Sequence, residues 1–105
     1  MAVKFVYVTI GCADEAEQLA AEIINKQLAA CANIISGMTS VFKWNGKIQT
    51  SSETIILFKT TKACTESLIN RIKELHSFEC PCIATLPVEG GNSDFLRWIK
   101  SEVKL

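Results

Sequence analysis

Hydrophobic positions near the start of the chain change their spacing, which separates a first strand from a first helix. Residues 3–10 are mostly β-branched or aromatic, with one charge at Lys4, and this composition predicts a buried strand. Asp14 and Glu17 form a helix start signal, because a carboxylate can accept the free amide protons of a first turn. The helix is predicted to run to about Leu28, since hydrophobic residues then recur every three or four positions. These residues are Ala16, Leu19, Ala20, Ile23 and Ile24.

The remaining pattern predicts a hairpin, a second helix, a last strand and a last helix. Asn45-Gly46 is the strongest hairpin signal, because a type I′ turn needs positive φ at both central residues. Strand-like segments at 32–35 and 39–44, with a bend permitted at Ser36-Gly37, lead into this turn. The other predicted elements are a returning strand at 47–60, a helix at 65–75 with Leu68, Ile69, Ile72 and Leu75 on its apolar stripe, a strand at 82–88, and a helix at 95–103 with Phe95, Leu96 and Ile99 inward.

This order, β-α-β-β-α-β followed by a terminal helix, predicts one α+β domain over residues 1–105 with a ferredoxin-like split βαβ fold. Such a fold has an antiparallel sheet with helices on one face and the other face open. Hydrophobic residues make up 49% of the chain, and a domain of this size cannot bury all of them. We therefore expect self-association that covers the open face and the projecting hairpin, where Trp44 would contact a neighbouring subunit.

Charge and cysteine content narrow the possible partners and the compartment. Eleven basic and eleven acidic residues cancel, which argues against a dedicated nucleic-acid binder and against a polybasic membrane anchor. No apolar run approaches the ~20 residues of a membrane span, and the N-terminus lacks the features of a signal peptide. Five cysteines cannot all pair within one chain. We expect a cytoplasmic protein with reduced thiols.

Catalytic motifs are absent from the sequence. The single histidine, His76, has no nucleophile-elbow sequence to accompany it. The Gly90-Gly91 pair lies outside any phosphate-loop or dinucleotide pattern. The sequence therefore favours a protein that is not an enzyme.

The segment 76–82 is the best candidate for a metal site, because it brings an imidazole, a carboxylate and two thiols into seven residues. His76, Cys80 and Cys82 would be the ligands, with Glu79 orienting the imidazole, and these donors suit Cu(I) or Zn(II). The alternative is structural: Cys80 and Cys82 would be small buried residues at a strand start, and His76 would cap the second helix. The spacing Cys-x-Cys is not that of a zinc knuckle, so both interpretations stay open.

The other thiols give weaker signals. Cys31 lies in an Ala-rich stretch that is typical of a core. Cys12 and Cys64 each stand at a predicted helix start, where the helix dipole would lower a thiol pKa, but a plain loop position explains them equally well.

Several motifs, in order, resemble those of the CutA family of divalent-cation tolerance proteins. They are Leu28-Ala29-Ala30-Cys31-Ala32-Asn33, the hairpin segment from Gly37 to Lys47, Lys59-Thr60-Thr61, the segment from Glu74 to Pro81, and Trp98-Ile99. The resemblance implies a ferredoxin-like fold and a homotrimer similar to PII-type signalling proteins, with clefts between subunits. It also implies a role in copper and divalent-cation tolerance, without enzymatic activity. Copper or zinc is the implied ligand, and neither is expected to be required for folding.

Three departures from the family pattern bear on the metal chemistry. Ser77 and Phe78 replace Pro and Tyr, Phe42 replaces the hairpin Tyr, and Cys82 stands where the family has Glu. The last change exchanges a hard oxygen ligand for a soft sulfur, so Cu(I) or Zn(II) should be preferred over Mg(II) or Ca(II).

A second hypothesis uses the same clefts differently. In a PII-like signalling or partner-binding module, clefts between subunits would bind a small molecule or a partner. The cleft residues would be Trp44, Glu53, Lys59, Phe78 and Trp98. A third possibility is a stable trimer that acts as a scaffold.

Overall fold

Four antiparallel strands form one sheet in the order β2-β3-β1-β4. The structure is a computed structural model, and it describes residues 2–78 and 80–104. Its elements are β1 Val3–Ile10, α1 Ala13–Asn25, β2 Cys31–Trp44, β3 Lys47–Thr61, a 3₁₀ turn Lys62–Cys64, α2 Thr65–Leu75, β4 Ile83–Pro87 and α3 Ser93–Glu102. This order and pairing are those of the predicted ferredoxin-like α+β fold, which is confirmed.

The main core lies between one face of the sheet and the helices α1 and α2. Alternate residues of β1 point into it, because successive side chains of a strand face opposite sides. Val6, Val8 and Ile10 are fully buried there. Ile23 of α1 and Ile72 of α2 pack on them from the other side. The predicted apolar stripes of both helices therefore form the core, except for Leu75 at the end of α2, which is exposed because the helix stops there and the chain turns away.

Strand β2 is one long strand rather than the two predicted segments. Its pairing with β3 continues past an irregularity between Ile35 and Met38. Ile35 pairs with Ile55 and Met38 with Glu53, so two residues of β2 lie opposite one of β3, which is a β-bulge. Gly37 has φ +77 in this bulge, a conformation that glycine adopts without strain. The bend signal was therefore correct, and its effect is a kink within a continuous strand.

The turn at Asn45-Gly46 has the conformation that the sequence predicts. Both residues have positive φ, 53° and 78°, as a type I′ turn requires. The hairpin that it closes extends well beyond the core. The radius of gyration is 14.3 Å, whereas a compact chain of this length has about 13 Å. Trp44 at the tip is 54% exposed, and Val41 and Ile48 beside it are more exposed still.

Helix α1 ends at Asn25, three residues before the predicted end. Gln27 takes a left-handed conformation with φ 61, which stops the helix. The amide of Leu28 then bonds back to the carbonyl of Ile23, and this closes the helix end. The following Ala29 and Ala30 are buried, whereas Cys31, which was expected in the core, is only half-buried.

Helix α3 closes a second, smaller core against the end of the sheet. Ile99 of α3 is fully buried with Val3 and Ala30, and Leu96 packs on them. Phe95, predicted to face inward, is instead exposed, as is Trp98. Beyond α3, the face of the sheet opposite α1 and α2 leaves Leu86 of β4 and Ile35 of β2 largely open to solvent in the single chain. Within residues 2–78 and 80–104, the helices are all too short to span a membrane.

Candidate functional site

The loop between α2 and β4, residues 76–82, carries the ligands that the sequence predicts for a metal. Helix α2 ends at Leu75 because His76 turns to an extended conformation, with φ −77 and ψ 138. The His76 amide still donates to the carbonyl of Ile72 at 2.8 Å, so His76 is the C-cap residue of α2. The chain then crosses to β4, which begins at Ile83.

The imidazole of His76 is buried and bonded at both nitrogens. Nε2 lies 2.7 Å from the carbonyl oxygen of Thr9, and Nδ1 accepts the amide proton of Phe78 at 3.0 Å. A carbonyl can only accept, so we assign the proton to Nε2 and the free electron pair to Nδ1. The electron pair of Nδ1 accepts the hydrogen bond from the amide of Phe78. In this conformation neither nitrogen of His76 is available to a metal ion.

The ring of Phe78 completes the surroundings of His76. It meets the imidazole edge to face, with ring centroids 4.8 Å apart, while part of it remains exposed. This geometry is the favourable one for an aromatic pair. Phe78 therefore supports the histidine from the solvent side. Glu79, predicted to orient the imidazole, lies outside the described residues.

Both cysteines of the loop are exposed. The alternative interpretation, in which Cys80 and Cys82 are small buried residues, is therefore wrong for the single chain, whereas its placement of His76 at the end of α2 is correct. Within residues 2–78 and 80–104, no three His, Cys, Asp or Glu side chains meet as a metal-binding group. The structure thus places the three predicted ligands on one loop without gathering them around one point.

Two of the predicted cleft residues, Lys59 and Trp98, belong to one aromatic and basic cluster. The ammonium of Lys59 lies 5.6 Å from the ring centroid of Phe5 and 5.5 Å from that of Phe95. Phe95 in turn stacks on Trp98 at 6.1 Å. Both Lys59 contacts are within the range of cation–π attraction. The sequence analysis did not assign Phe5 or Phe95 to the cleft, because only the fold brings β1 and α3 beside Lys59.

The other predicted cleft residues lie elsewhere in the chain. Glu53 is six positions before Lys59 on β3, about 20 Å away along an extended strand. Trp44 lies further out still, at the tip of the hairpin. Phe78 is on the α2–β4 loop. A single chain therefore does not assemble the predicted cleft.

Comparison with known proteins decides the family. A family model described as "CutA1 divalent ion tolerance protein" matches residues 4–102, nearly the whole chain. The chain belongs to the CutA1 family. The divalent-cation tolerance protein CutA of Archaeoglobus fulgidus is 37% identical over 101 residues, which are 96% of this chain and 98% of that protein. The resemblance drawn from the sequence motifs is thereby confirmed.

Rice supplies a CutA1 relative in both sequence and structure. The chloroplastic protein CutA 1 of Oryza sativa is 37% identical over 99 residues, which are 94% of this chain and 56% of the rice protein. The chain thus spans just over half the length of that relative. The crystal structure of CutA1 from Oryza sativa superposes with a TM-score of 0.96 at 36% identity, and the match covers 99% of this chain and 95% of that one. The CutA1 fold is therefore present in full.

The remaining cysteines of this CutA1 family chain differ in their surroundings. Cys64 is fully buried, and its thiol points toward the carbonyl of Lys104 at 4.0 Å. Burial raises the pKa of the Cys64 thiol, and a hydrogen bond with Thr60 opposes the rise without cancelling it. A buried thiol of raised pKa is unreactive, so the lowered pKa considered for Cys64 is wrong. Cys64 is also not a plain loop residue, because it is buried at the end of the 3₁₀ turn before α2. Cys12 is exposed just before α1.

One ion-pair network joins α1 to α2, and the sequence analysis did not find it. Arg71 of α2 contacts Glu22 of α1 at 2.8 Å and Glu74 at 2.9 Å. The hydrogen bond from Arg71 lowers the pKa of the Glu22 carboxyl below its usual value. Glu74 lies three residues from Arg71, as helical neighbours do, but no sequence signal pairs Arg71 with Glu22.

Proposed function

We propose that this chain acts in the tolerance of divalent cations, and of copper in particular, as a homotrimer with no enzymatic activity of its own. The match of the family model over residues 4–102 carries this proposal. The relative from Archaeoglobus fulgidus is named for divalent-cation tolerance and is covered almost completely. The general role follows from that relationship, and copper and the trimer are the finer parts of the proposal.

The case for a trimer comes from the apolar surface of the single chain. Large hydrophobic side chains are exposed along the hairpin and on the open sheet face, and they are Ile35, Val41, Phe42, Trp44, Ile48 and Leu86. Monomeric proteins rarely expose large apolar patches, so this number of exposed hydrophobic side chains supports assembly. Two further copies of the chain would cover these side chains and would bring the hairpin of one subunit against the cleft residues of another.

The case for copper comes from the donor atoms on the α2–β4 loop. Cys80 and Cys82 are exposed thiols, and thiolates select Cu(I) and Zn(II) over Mg(II) or Ca(II). The metal would be cargo rather than a structural ion, because the main core is built from apolar side chains such as Val6, Val8 and Phe58, which are not metal ligands. We therefore propose that copper or zinc binds to the folded protein and is not required for folding.

Cell growth and solution mass test the two parts separately. Expression of the chain in a copper-sensitive strain that lacks its own homologue should raise the copper concentration that halves growth. Light scattering at micromolar concentration should give three times the chain mass of 11.6 kDa. Unchanged copper sensitivity would refute the tolerance role, and a monomer mass would refute the trimer.

A partner-binding or PII-like signalling role is a second candidate, which the surroundings of Lys59 favour. None of the ion pairs among the described residues includes Lys59, and its ammonium lies between two aromatic rings instead. An anionic ligand would find there a positive charge beside flat apolar surfaces. Calorimetry with phosphate and with ATP tests it: Lys59→Gln should abolish any binding heat, whereas Lys43→Gln on the hairpin should not. Absence of heat from the unsubstituted protein would refute this candidate.

We further propose a cytoplasmic location and no nucleic-acid or membrane partner. The exposed thiols at residues 12, 80 and 82 would persist in a reducing compartment. The formal net charge of zero offers no general attraction to phosphate backbones or anionic lipids. Imaging of the tagged chain in intact cells would test the location.

A further inference from the structure

We propose that Cys80 and Cys82 together form a two-thiolate site for Cu(I), and that His76 positions the loop of this site without binding the metal. The inference rests on the proposed function and names the ligands of its metal. It departs from the sequence-based expectation, in which the imidazole was itself a ligand. Four features of the α2–β4 loop support it.

The first feature is that both ends of the loop are attached to the same residue. The carbonyl of Thr9 accepts the Nε2 proton of His76, and the amide of Thr9 donates to the carbonyl of Cys82 at 3.2 Å. Thr9 belongs to β1, the strand that lies between β3 and β4 in the sheet. The two ends of the loop, His76 and Cys82, are thus attached to one residue of an interior strand of the sheet.

The second feature is that the imidazole is already occupied. To bind a metal through Nδ1, His76 would have to give up the amide of Phe78, and to bind through Nε2 it would have to lose its proton and release Thr9. Either change would detach the beginning of the loop from β1. Metal binding by the thiols leaves both hydrogen bonds intact. The arrangement therefore favours sulfur ligands alone.

The third feature is the spacing of the thiols. Two residues apart, the Cα atoms of Cys80 and Cys82 are separated by at most about 7 Å. Sulfur atoms on opposite sides of one metal ion are about 4.6 Å apart, taking ~2.3 Å for each metal–sulfur bond. Pro81 between them fixes one φ angle and biases Cys80 toward an extended conformation. The segment is stiff, and its length allows both sulfurs to reach one ion.

The fourth feature is the number of sulfur ligands, which determines the metal ion that the site can hold. Structural Zn(II) sites use four protein ligands, which two thiolates alone do not supply. Cu(I) is softer and accepts two thiolates in a linear arrangement. Two thiols and one Cu(I) would give one bis-thiolate complex and release two protons, with no change of oxidation state. Cu(I) should therefore bind more tightly than Zn(II).

Competition for Cu(I) against a coloured chelator, under anaerobic conditions, tests the ligand set. The unsubstituted protein should bind one Cu(I) per chain. Loss of a neighbouring group around a metal ligand costs up to about 100-fold in affinity, so loss of a direct ligand in Cys80→Ser or Cys82→Ser should cost at least that. Cys12→Ser, which removes an exposed thiol outside the loop, is the matched control and should leave the affinity unchanged. Equal affinity in the double variant Cys80→Ser/Cys82→Ser would overturn the inference.

The role of His76 is tested without a substitution, because replacing a buried residue could unfold the loop. Nitrogen NMR of the imidazole in the unsubstituted protein should show the same Nε2-protonated form before and after one equivalent of Cu(I). A Cu(I)-induced change of a ring nitrogen to a metal-bound signal would overturn the positioning role.

The growth assay with copper, combined with the Cu(I) binding measurement, distinguishes failure of this inference from failure of the proposed function. Cu(I) binding that depends on both cysteines, without copper tolerance, would refute only the function. Tolerance that survives in the double variant, with unchanged Cu(I) binding, would refute only the site.

Discussion

Replacement of His76 by alanine should lower the free energy of unfolding by about 3–5 kcal/mol, through loss of the attachment between the α2–β4 loop and β1. The substitution removes two hydrogen bonds, worth about 1 kcal/mol each. It also leaves the Thr9 carbonyl buried without its partner, which costs about 1–3 kcal/mol more. The amide of Phe78 is near the surface, so water can replace its lost acceptor, and its contribution stays at the lower end.

Urea unfolding followed by circular dichroism measures this change, with the chain concentration held constant because assembly contributes to apparent stability. Phe78→Leu is the matched control, since it keeps the backbone amide that bonds His76 and removes only a half-exposed ring. An aromatic pair of this kind contributes about 0.5–1.5 kcal/mol. If His76→Ala costs no more than Phe78→Leu, the hydrogen bonds to Thr9 and Phe78 do not anchor the loop.

Three further predictions concern the surface, the assembly and the thiols. Because Arg71 holds the pKa of Glu22 below 4.5, the ionised pair stabilises the fold above that pH, and this contribution is lost as the pH falls through the lowered pKa. Glu22→Gln should therefore unfold at lower urea concentration than the unsubstituted protein at pH 7. The difference should disappear as the pH falls through the lowered pKa of Glu22, and a difference independent of pH would contradict the assignment. As an interface anchor, Trp44 should contribute about 2 kcal/mol per site, so Trp44→Ala should weaken assembly by that amount. Light scattering during dilution would measure the concentration at which the assembly dissociates. If this concentration is the same for the variant and the unsubstituted protein, Trp44 is not an anchor. Thiol titration of protein that is denatured without reductant and handled without oxygen should give five free thiols per chain. A lower count would mean that a disulfide forms.

Local patterns predicted the elements of this fold well, because each of them depends on near neighbours in sequence. The Asn45-Gly46 turn and the apolar stripe of α2 are predicted from residues close together in sequence; the structure confirms the turn, and it confirms the stripe except for the exposed Leu75. Two errors concern local backbone conformation, whereas the wrongly predicted burial of Phe95 and Cys31 depends on how distant elements pack. Nothing in the side chain of Gln27 announces its left-handed conformation, and Ser36-Gly37 fits a strand break as well as a bulge.

The candidate site was less predictable, because its decisive contacts join distant parts of the chain. His76 stood out as the only histidine, but its partner is the backbone of Thr9, and a carbonyl has no signature in sequence. Lys59 was named as a cleft residue, whereas Phe95 came beside it only through the packing of α3 on the sheet. Residue type thus suggested the candidate groups, and the fold determined which of them lie together and which are already hydrogen-bonded.

The long β2–β3 hairpin has a consequence for the order in which the protein folds. Its pairing begins at Lys47 and Trp44 and continues outward from the turn, so each new pair closes only a short loop. Isolated hairpins form within microseconds. By contrast, β1 must bring Ile10 to Thr54 and Val8 to Ile83, which requires closing much longer segments. On the ribosome, β1 and the hairpin emerge before β4, so the sheet edge that β4 later covers is open while synthesis continues. The end of the α2–β4 loop can attach to Thr9 only after Cys82 has been synthesised.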